Sequence, residues 1–423
     1  DLRTGVTYHD GSTFDAESVK WNIDRYRTAE GSARSGELAS IDSVVVVDAS
    51  TVRFRLSAPF AGLLANLVDR AGMMVSRTAA EAGGEDFTRQ AFRAGTGPFM
   101  LTEAVQDDHM TLEKNPNWWG RDADGNQLPY LDKITVRPIT NSDVRLTNLR
   151  TGDAQVTNRI AGKDVGAVKT DGTLSYQEKP AAGFMSLIPN RAPGFVFQDA
   201  RYVRAVSMAI ARQEILDSVF AGFGVVGYGA IAPPHFAFDP SFRPYERPDP
   251  EGARRLVQEV GRGPLSFELL LFAGDPQTLQ LAQLIQAQLA RADITAELRP
   301  LGRAEVLQLG AERTFTGMTL SGWSGRIDPD GNTYDLLYTD RPFNDSSYSN
   351  AEVDRLLDEQ RATTDEAERR SLLRAAEQIY VVDDPARVWF RFGISHVVTV
   401  KQVQGLEPYP DLLVRFHSAW LRD

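Results

Sequence analysis

The chain has 423 residues, of which 42% are hydrophobic and 24% are charged, with a formal net charge of −11 and no cysteine. This composition is typical of a globular protein, and the length favours two or three domains. The lack of cysteine excludes disulfides, thiol nucleophiles and cysteine-based zinc or iron–sulfur sites. No apolar run reaches about 18 residues, the length of a membrane span, and no basic stripe favours a nucleic-acid partner.

The first part of the chain has the pattern of a strand-rich structure. Residues 1–8 have the pattern of a strand and turn, so we expect the beginning of the protein, with any signal segment, to lie upstream. Asp15 is a suitable N-cap for a helix that extends to about Arg27. The next predicted elements are a hairpin (Val44–Val47 and Val52–Leu56), a helix (Ala61–Val68), three strands (Gly95–Leu101, Thr111–Lys114, Ile134–Ile139) and a helix (Val144–Leu149).

Helical patterns dominate from Asp199 onward. One long helix is predicted from Asp199 to Ala221, and a proline-rich connection follows it. The later predicted elements are strands at Leu265–Phe272, Ile294–Leu298 and Gly317–Leu320, helices at Asp275–Ala292, Ala351–Arg361 and Asp365–Val382, and strands at Val388–Phe392 and His396–Val400. Strands that alternate with helices in this way indicate an open α/β sheet.

A candidate binding segment follows the predicted strand Gly317–Leu320. It contains Trp323, Ser324, Gly325 and Arg326, and ligands of open α/β sheets bind outside the carboxyl ends of the strands. An alternative interpretation needs no ligand: Trp323 is then a core aromatic residue, and the Asp-Pro-Asp-Gly sequence after it is an ordinary solvated turn.

No catalytic or metal-binding pattern is complete in this sequence. The glycines at positions 222, 224 and 227 match a dinucleotide fingerprint in letters only, because they follow a helix instead of a strand. The segment Gly322–Arg326 misses the nucleophile elbow of hydrolases because Arg326 is too bulky for its last position. The five histidines have no metal-ligand spacing. We therefore predict no enzymatic activity, no cofactor and no metal site.

Five segments carry short motifs that occur in the same order in one known family. They are His9–Phe14, Gly95–Phe99, Leu128–Ile134, Arg204–Arg212 and Gly322–Gly325. Together they resemble the family 5 bacterial extracellular solute-binding proteins, which are the dipeptide-, oligopeptide- and nickel-binding subunits of ATP-driven importers. The resemblance extends over essentially the whole chain.

The resemblance implies an α/β, two-lobed periplasmic-binding-protein fold (type II, large peptide-binding class) with an extra small subdomain. We expect residues 1–93 to form the small subdomain of lobe 1, residues 94–198 and 400–423 to form lobe 1, and residues 199–399 to form lobe 2. In relatives, a segment before the His9 region adds backbone to the ligand site. That segment is not in this sequence, so lobe 1 is expected to be incomplete.

The function implied by the resemblance is the capture of a peptide or peptide-like solute between two lobes and its delivery to the membrane permease of an ABC importer. The protein is then a periplasmic protein or a cell-surface lipoprotein, a monomer, and not a nucleic-acid binder. Two alternatives stay open. One is the sensor domain of a regulator, and the other is an importer subunit for a non-peptide solute such as a nickel complex, an opine or a glycoside.

The resemblance also implies ligand contacts. In peptide-binding relatives an Asp shortly after the Trp receives the ammonium group of the peptide, and the matching position here is Arg326. A guanidinium cannot receive an ammonium group and prefers a carboxylate or phosphate. Either Asp328 receives the ammonium group, or the ligand is anionic here, or Arg326 pairs with Asp328 or Asp330 and touches no ligand. Phe184 and Met185, on a predicted strand, are further candidate ligand contacts.

Overall fold

The computed structural model describes residues 1–32, 34–88 and 92–422. Its first part consists of small antiparallel units, with elements α1 (Ala16–Thr28), β1 (Ile41–Asp48), β2 (Thr51–Leu56), α2 (Leu63–Leu67), α3 (Arg77–Gly83), β3 (Phe99–Val105), β4 (His109–Lys114) and β5 (Lys133–Val136). Asp15 caps α1 through a capping box with Ser18, as its position predicts. Helix α1 packs on the β1–β2 hairpin, and β3, β4 and β5 form a separate antiparallel sheet.

The rest of the chain is built around one seven-stranded sheet. Its elements are α4 (Ser142–Thr151), β6 (Val156–Thr157), α5 (Val165–Thr170), β7 (Leu174–Pro189), α6 (Ala200–Ala209), α7 (Arg212–Phe220), β8 (Val225–Val226), α8 (Pro250–Val260), β9 (Ser266–Phe272), α9 (Pro276–Ala290), β10 (Thr295–Leu301), α10 (Arg303–Glu312), β11 (Met318–Trp323), α11 (Asp330–Leu337), α12 (Ala351–Ala362), α13 (Glu366–Gln378), β12 (Val388–Val400), β13 (Val403–Gln404) and β14 (Trp420–Leu421). The strand order is β10-β9-β11-β7-β12-β6, and β8 also pairs with β12.

Strands β7 and β12 connect two hydrophobic cores. They are antiparallel and paired from Leu187 with Val388 to Leu174 with Val400. Leu174 and Val398 pack with α4 and α5 in one core, whereas the other ends of both strands belong to the larger cores around α6, α9 and α13. The lobe boundaries expected at residues 198 and 399 stay a prediction.

Two predicted elements differ in the structure. The long helix expected from Asp199 to Ala221 is two helices, because α6 ends at Ala209 and α7 begins at Arg212. The buried Arg212 guanidinium donates to the carbonyl oxygens of Ser207 and Ile210, which replaces helical hydrogen bonds at the end of α6. The two strands expected around Gly393 are one strand, β12, with register shifts on both sides of Arg391 and Phe392.

The longest helix, α9, is shorter than the roughly 20 residues that a membrane-spanning helix needs. Within the part of the chain that the structure describes, no helix has the length and apolar character needed to cross a bilayer.

Candidate ligand-binding site

The candidate segment lies where β11 ends. Strand β11 is parallel to β9 and antiparallel to β7, and Trp323 is opposite Phe184. Gly325 has φ +82°, and a Cβ atom there would overlap the backbone of Ala182. Only glycine allows this close approach, so the loop after Trp323 is held against the middle of β7.

Asn332 fixes the shape of this loop. Its Oδ1 accepts hydrogen bonds from Trp323 Nε1 (3.1 Å) and from the Arg326 backbone N–H (2.9 Å). Its Nδ2 donates to the carbonyl oxygens of Ala182 (2.8 Å) and Ala230 (3.0 Å). The side chain is fully buried, so all of its polar capacity is used inside the protein.

His235 holds the same loop through a hydrogen bond to its backbone. Its Nδ1 accepts from the backbone N–H of Ala232 (3.0 Å), and its Nε2 therefore donates to the carbonyl oxygen of Arg326 (2.8 Å). Burial lowers the pKa of His235 to about 4. The ring is consequently neutral near pH 7 and acts as a fixed structural contact.

Arg326 joins the loop after β11 to the first part of the chain. Its Nη2 lies 2.9 Å from Glu37 Oε1 and its Nε lies 3.0 Å from Asp69 Oδ2. All three side chains are almost fully buried, and the Arg326 guanidinium also lies 4.6 Å from the Trp323 ring centre. The sequence suggested Asp328 or Asp330 as an internal partner for Arg326, and the structure corrects this. The carboxylates that pair with Arg326 belong to residues more than half the chain away.

Both of those aspartates have other partners. Asp328 accepts two hydrogen bonds from Arg369, at 2.7 and 3.0 Å. Asp330 forms a two-bond pair with Arg361 and has a side-chain exposure of 1%. A carboxylate that is already paired in this way has little capacity left for a ligand ammonium group.

The exposed side chains of the loop are Ser324 and Ile327, and Trp323 is partly accessible. Ser324 is exposed, and Trp323 is half-buried at the edge of the core with its ring 5.4 Å from Phe343. The guanidinium carbon of Arg34 lies 5.6 Å from the centre of the same Phe343 ring. The loop therefore presents an indole and a hydroxyl group, and the Arg34 guanidinium, from the first part of the chain, packs over the neighbouring Phe343 ring.

Phe184 and Met185 lie opposite Trp323 and Gly322 in the strand pairing and take opposite faces of the sheet. Successive residues of a strand point to opposite faces of the sheet. Phe184 is 3% exposed and packs edge-on against Trp389 in the core, whereas Met185 packs towards the other core, with its sulfur 3.9 Å from Arg391 Nη1. Phe184 shares a core with Trp323, whereas Met185 packs against the other core, and a ligand contact of either residue stays a prediction.

Comparison with known proteins decides the family. The profile described as "Bacterial extracellular solute-binding proteins, family 5 Middle" matches residues 1–345. The chain belongs to this family. The resemblance of its five motifs is thereby confirmed, and the match covers the candidate segment itself.

Curated relatives of the family match the chain over its full length. The glutathione-binding protein GsiB of Salmonella paratyphi A is 29% identical over 437 aligned residues, which cover 100% of this chain and 82% of that protein. GsiB of Pectobacterium atrosepticum is 28% identical over 438 residues with the same coverage.

Solved structures confirm the two-lobed α/β fold of type II. The oligopeptide-binding protein AppA of Bacillus subtilis, in complex with a nonapeptide, has a TM-score of 0.86 at 20% identity and covers 100% of this chain and 86% of its own. AgaA from A. tumefaciens R10, in complex with agropinic acid, has a TM-score of 0.87 at 21% identity over 99% and 85%. DppA of Helicobacter pylori, in complex with the peptide STSA, has a TM-score of 0.85 at 23% identity over 100% and 86%.

The structure adds charged residues that sequence reasoning did not connect with this family site. Arg34 is paired with Glu37 at 2.9 Å, and Arg70 is paired with Asp69 at 2.9 Å. With Arg326 these residues form one cluster, which we call the junction cluster: Arg34, Glu37, Asp69, Arg70 and Arg326. It contains three guanidinium groups and two carboxylates, so one positive charge is not balanced within it.

No local signal in the sequence marks the junction cluster. Arg326 is 289 positions from Glu37, so no short spacing in the sequence connects the two residues. The described residues also contain no group of three or more His, Cys, Asp or Glu side chains that could hold a metal ion.

Proposed function

We propose that this protein is the solute-binding subunit of an ABC importer and that it captures a peptide-like solute between its two lobes. Membership of the family and full-length similarity to glutathione-binding proteins support this function. The contact between Arg326 of lobe 2 and Glu37 and Asp69 of the first part of the chain supports the capture step. A pair of this kind can form only when the two parts of the protein are held together, so it favours the closed conformation.

The ligand that fits the site best is an anionic peptide. Asp328 is already paired with Arg369, whereas the junction cluster carries one unbalanced positive charge. A guanidinium group prefers carboxylates and binds them through two hydrogen bonds. Trp323 supplies a flat apolar surface, and the exposed Ser324 hydroxyl supplies a polar contact. The single observation that carries this choice is the position of Arg34 beside Phe343 and Trp323.

Isothermal titration calorimetry on the complete protein tests the proposal. The panel contains glutathione, alanyl-alanine, a neutral tetrapeptide, agropinic acid and a nickel–histidine complex. We expect glutathione or another peptide with an additional carboxylate to bind at least tenfold more tightly than alanyl-alanine. Tighter binding of alanyl-alanine would contradict the proposal that the ligand is an anionic peptide. Binding of the nickel complex alone would contradict the proposal that the solute is peptide-like.

A further inference from the structure

A second cavity lies inside lobe 2, away from the candidate segment. It has a volume of about 480 Å³ and lies between α7, the β8 strand, the loop of residues 238–246 and helix α13. Trp323, Ser324 and Arg326 do not line it. Its volume is within the range of small-molecule pockets, which is roughly 300 to 1,000 Å³.

The walls of this cavity are rich in aromatic rings. Tyr228, Phe238, Phe242 and Phe392 all line it, and the rings of Phe238 and Phe392 meet edge to face with centres 6.1 Å apart. Aromatic faces attract cations, and the attraction is stronger where water is excluded. The apolar walls therefore favour a ligand that has a hydrophobic body and can also carry positive charge.

One carboxyl group on the cavity wall has no cationic partner among the described residues. Glu377 of α13 is only 4% exposed, and its Oε1 accepts long hydrogen bonds from the Ile231 N–H (3.4 Å) and the Tyr380 hydroxyl (3.3 Å). Within residues 1–32, 34–88 and 92–422, no hydrogen bond or ion pair is found for its Oε2. Gly229 makes room for this side chain, because a Cβ atom there would collide with the carboxylate.

The neighbouring charges are balanced among themselves. Arg374, one turn before Glu377, lies 3.4 Å from Asp239 and donates to two backbone carbonyl oxygens. Arg243 lies 3.1 Å from Glu246 at the rim of the cavity. Glu377 is thus the carboxyl group of the cavity that has no basic side chain as a hydrogen-bond or ion-pair partner among the described residues. Burial raises the pKa of Glu377 to about 8, which is the expected response of an unpaired buried carboxyl group.

Arg212 also lies near this cavity, behind Tyr228, at 5.5 Å from the ring centre. Its guanidinium donates to the carbonyl oxygens of Trp389, Ser207 and Ile210 and to the Ser207 hydroxyl, and it does not line the cavity. It is therefore fully engaged with the protein and does not make the cavity a site for anions.

We propose that this cavity is a second ligand site, independent of the importer function, that binds a small organic ammonium ion with an apolar body. The ammonium group pairs with Glu377, and the body of the ligand packs against Phe238, Phe242 and Phe392. At neutral pH the binding of the cation releases a proton from Glu377, because the carboxyl group ionises when a positive charge is placed beside it.

The test uses 2-phenylethylammonium as the cationic probe, 2-phenylethanol as its neutral counterpart and 3-phenylpropionate as its anionic counterpart. Calorimetry on the complete protein at pH 7 is expected to show binding of the amine, at least tenfold weaker binding of the alcohol and no binding of the acid. Glu377→Gln is expected to weaken amine binding at least tenfold, and titrations in two buffers of different ionisation enthalpy are expected to show proton release.

Glu366→Gln is the matched control, because it removes an exposed carboxylate from the same helix without touching the cavity. We expect it to change amine affinity less than twofold, with both variants folded by circular dichroism. Equal amine binding by Glu377→Gln and the parent would overturn the proposal, as would the absence of binding to the parent at millimolar amine. Competition between the amine and glutathione would place the amine in the cleft and would also overturn it. A protein that binds the amine but no peptide would contradict only the importer proposal.

Discussion

At the scale of single residues, Asn332 determines how Trp323 and Arg326 are presented. One amide side chain is hydrogen-bonded to the indole, to the Arg326 backbone, to β7 through Ala182 and to the segment after β8 through Ala230. A buried amide of this kind positions groups accurately because every alternative orientation leaves polar atoms without partners. The candidate binding surface therefore depends on a residue that is itself fully buried.

Trp323→Ala is expected to weaken binding of the peptide ligand at least tenfold. The substitution removes the flat apolar surface beside Ser324, and loss of a large aromatic contact of this type costs about 2 kcal/mol or more in well-packed sites. Trp323 is only half-buried, so we expect the fold to be retained. Calorimetry with glutathione measures the affinity, and circular dichroism checks the fold.

Trp119→Ala is the control for this prediction. Trp119 is also exposed, at 47%, but it lies in the first part of the chain, where Arg3 packs over its ring. We expect this variant to bind like the parent. An unchanged affinity in folded Trp323→Ala would remove Trp323 from the site.

At the scale of elements, the sequence predicts structure best where the signal is local. Helix α1 was predictable from its Asp15 cap, and the β1–β2 hairpin was predictable from its β-branched residues. The break between α6 and α7 was not predictable, because it depends on where the buried Arg212 finds carbonyl oxygens after folding. The position of Trp323 at a strand end was predictable, but the partners of Arg326 were not, because Glu37 and Asp69 come from a distant part of the chain.

The junction cluster gives a prediction at this scale. Arg326 of the loop after β11 pairs with Glu37 before β1, and both side chains are 8% exposed. In a double-mutant cycle of Arg326→Ala and Glu37→Ala, we expect each single variant to weaken peptide binding. We also expect a coupling of at least about 1 kcal/mol in the binding free energy, because the two groups meet in a buried contact between lobes.

The control cycle uses Arg355 and Glu352, an exposed pair within α12 whose side chains are about half accessible. Its two substitutions are expected to act independently and to leave peptide affinity unchanged, because exposed pairs are screened by solvent. If the effects of Arg326→Ala and Glu37→Ala were also independent, the junction cluster would not contribute to capture. Arg326→Lys is not expected to restore binding, because one ammonium group cannot reproduce the contacts of the guanidinium with two carboxylates.

At the scale of the whole molecule, β7 and β12 run through one continuous sheet and connect separate hydrophobic cores. The large cores around α6, α9 and α13 and the smaller core around α4 and α5 share these two strands. The Ala182 backbone N–H, in β7 beside the candidate loop, donates to the carbonyl oxygen of Pro410 and so brings the last part of the chain to the same place. Movement of the lobes is therefore expected to centre on Ala182–Gly183 and Gly393, where β7 and β12 pass between the cores and their register shifts.

Buried ionisable groups set the pH dependence of the stability of the whole molecule. Burial raises the pKa of Glu377 from 4.5 to about 8. The neutral carboxyl is thus favoured in the folded state, and its contribution is complete below about pH 4.5 and is lost as the pH rises towards 8. His235 and His396 act in the opposite direction, because burial lowers the pKa of each from 6.5 to about 4, so their contribution is lost as the pH falls below 6.5.

Glu377→Gln separates the contribution of Glu377 to the pH dependence of stability from that of His235 and His396, since both histidines are unchanged in the variant. At about 1.4 kcal/mol per pKa unit, the pKa shift of Glu377 corresponds to a change of at most about 5 kcal/mol in the free energy of unfolding between low pH, where the carboxyl group is neutral, and high pH, where it is ionised. The glutamine keeps the shape of the neutral carboxyl group and does not ionise. We therefore expect the free energy of unfolding of the variant, relative to the parent, to increase steadily from pH 5 to pH 8, as measured by urea denaturation across this range.

Glu366→Gln, on the exposed side of the same helix, is expected to show no such trend. If the difference in the free energy of unfolding between Glu377→Gln and the parent stayed constant from pH 5 to pH 8, Glu377 would titrate normally. The carboxyl group would then be in contact with solvent or with a positive charge in the folded protein.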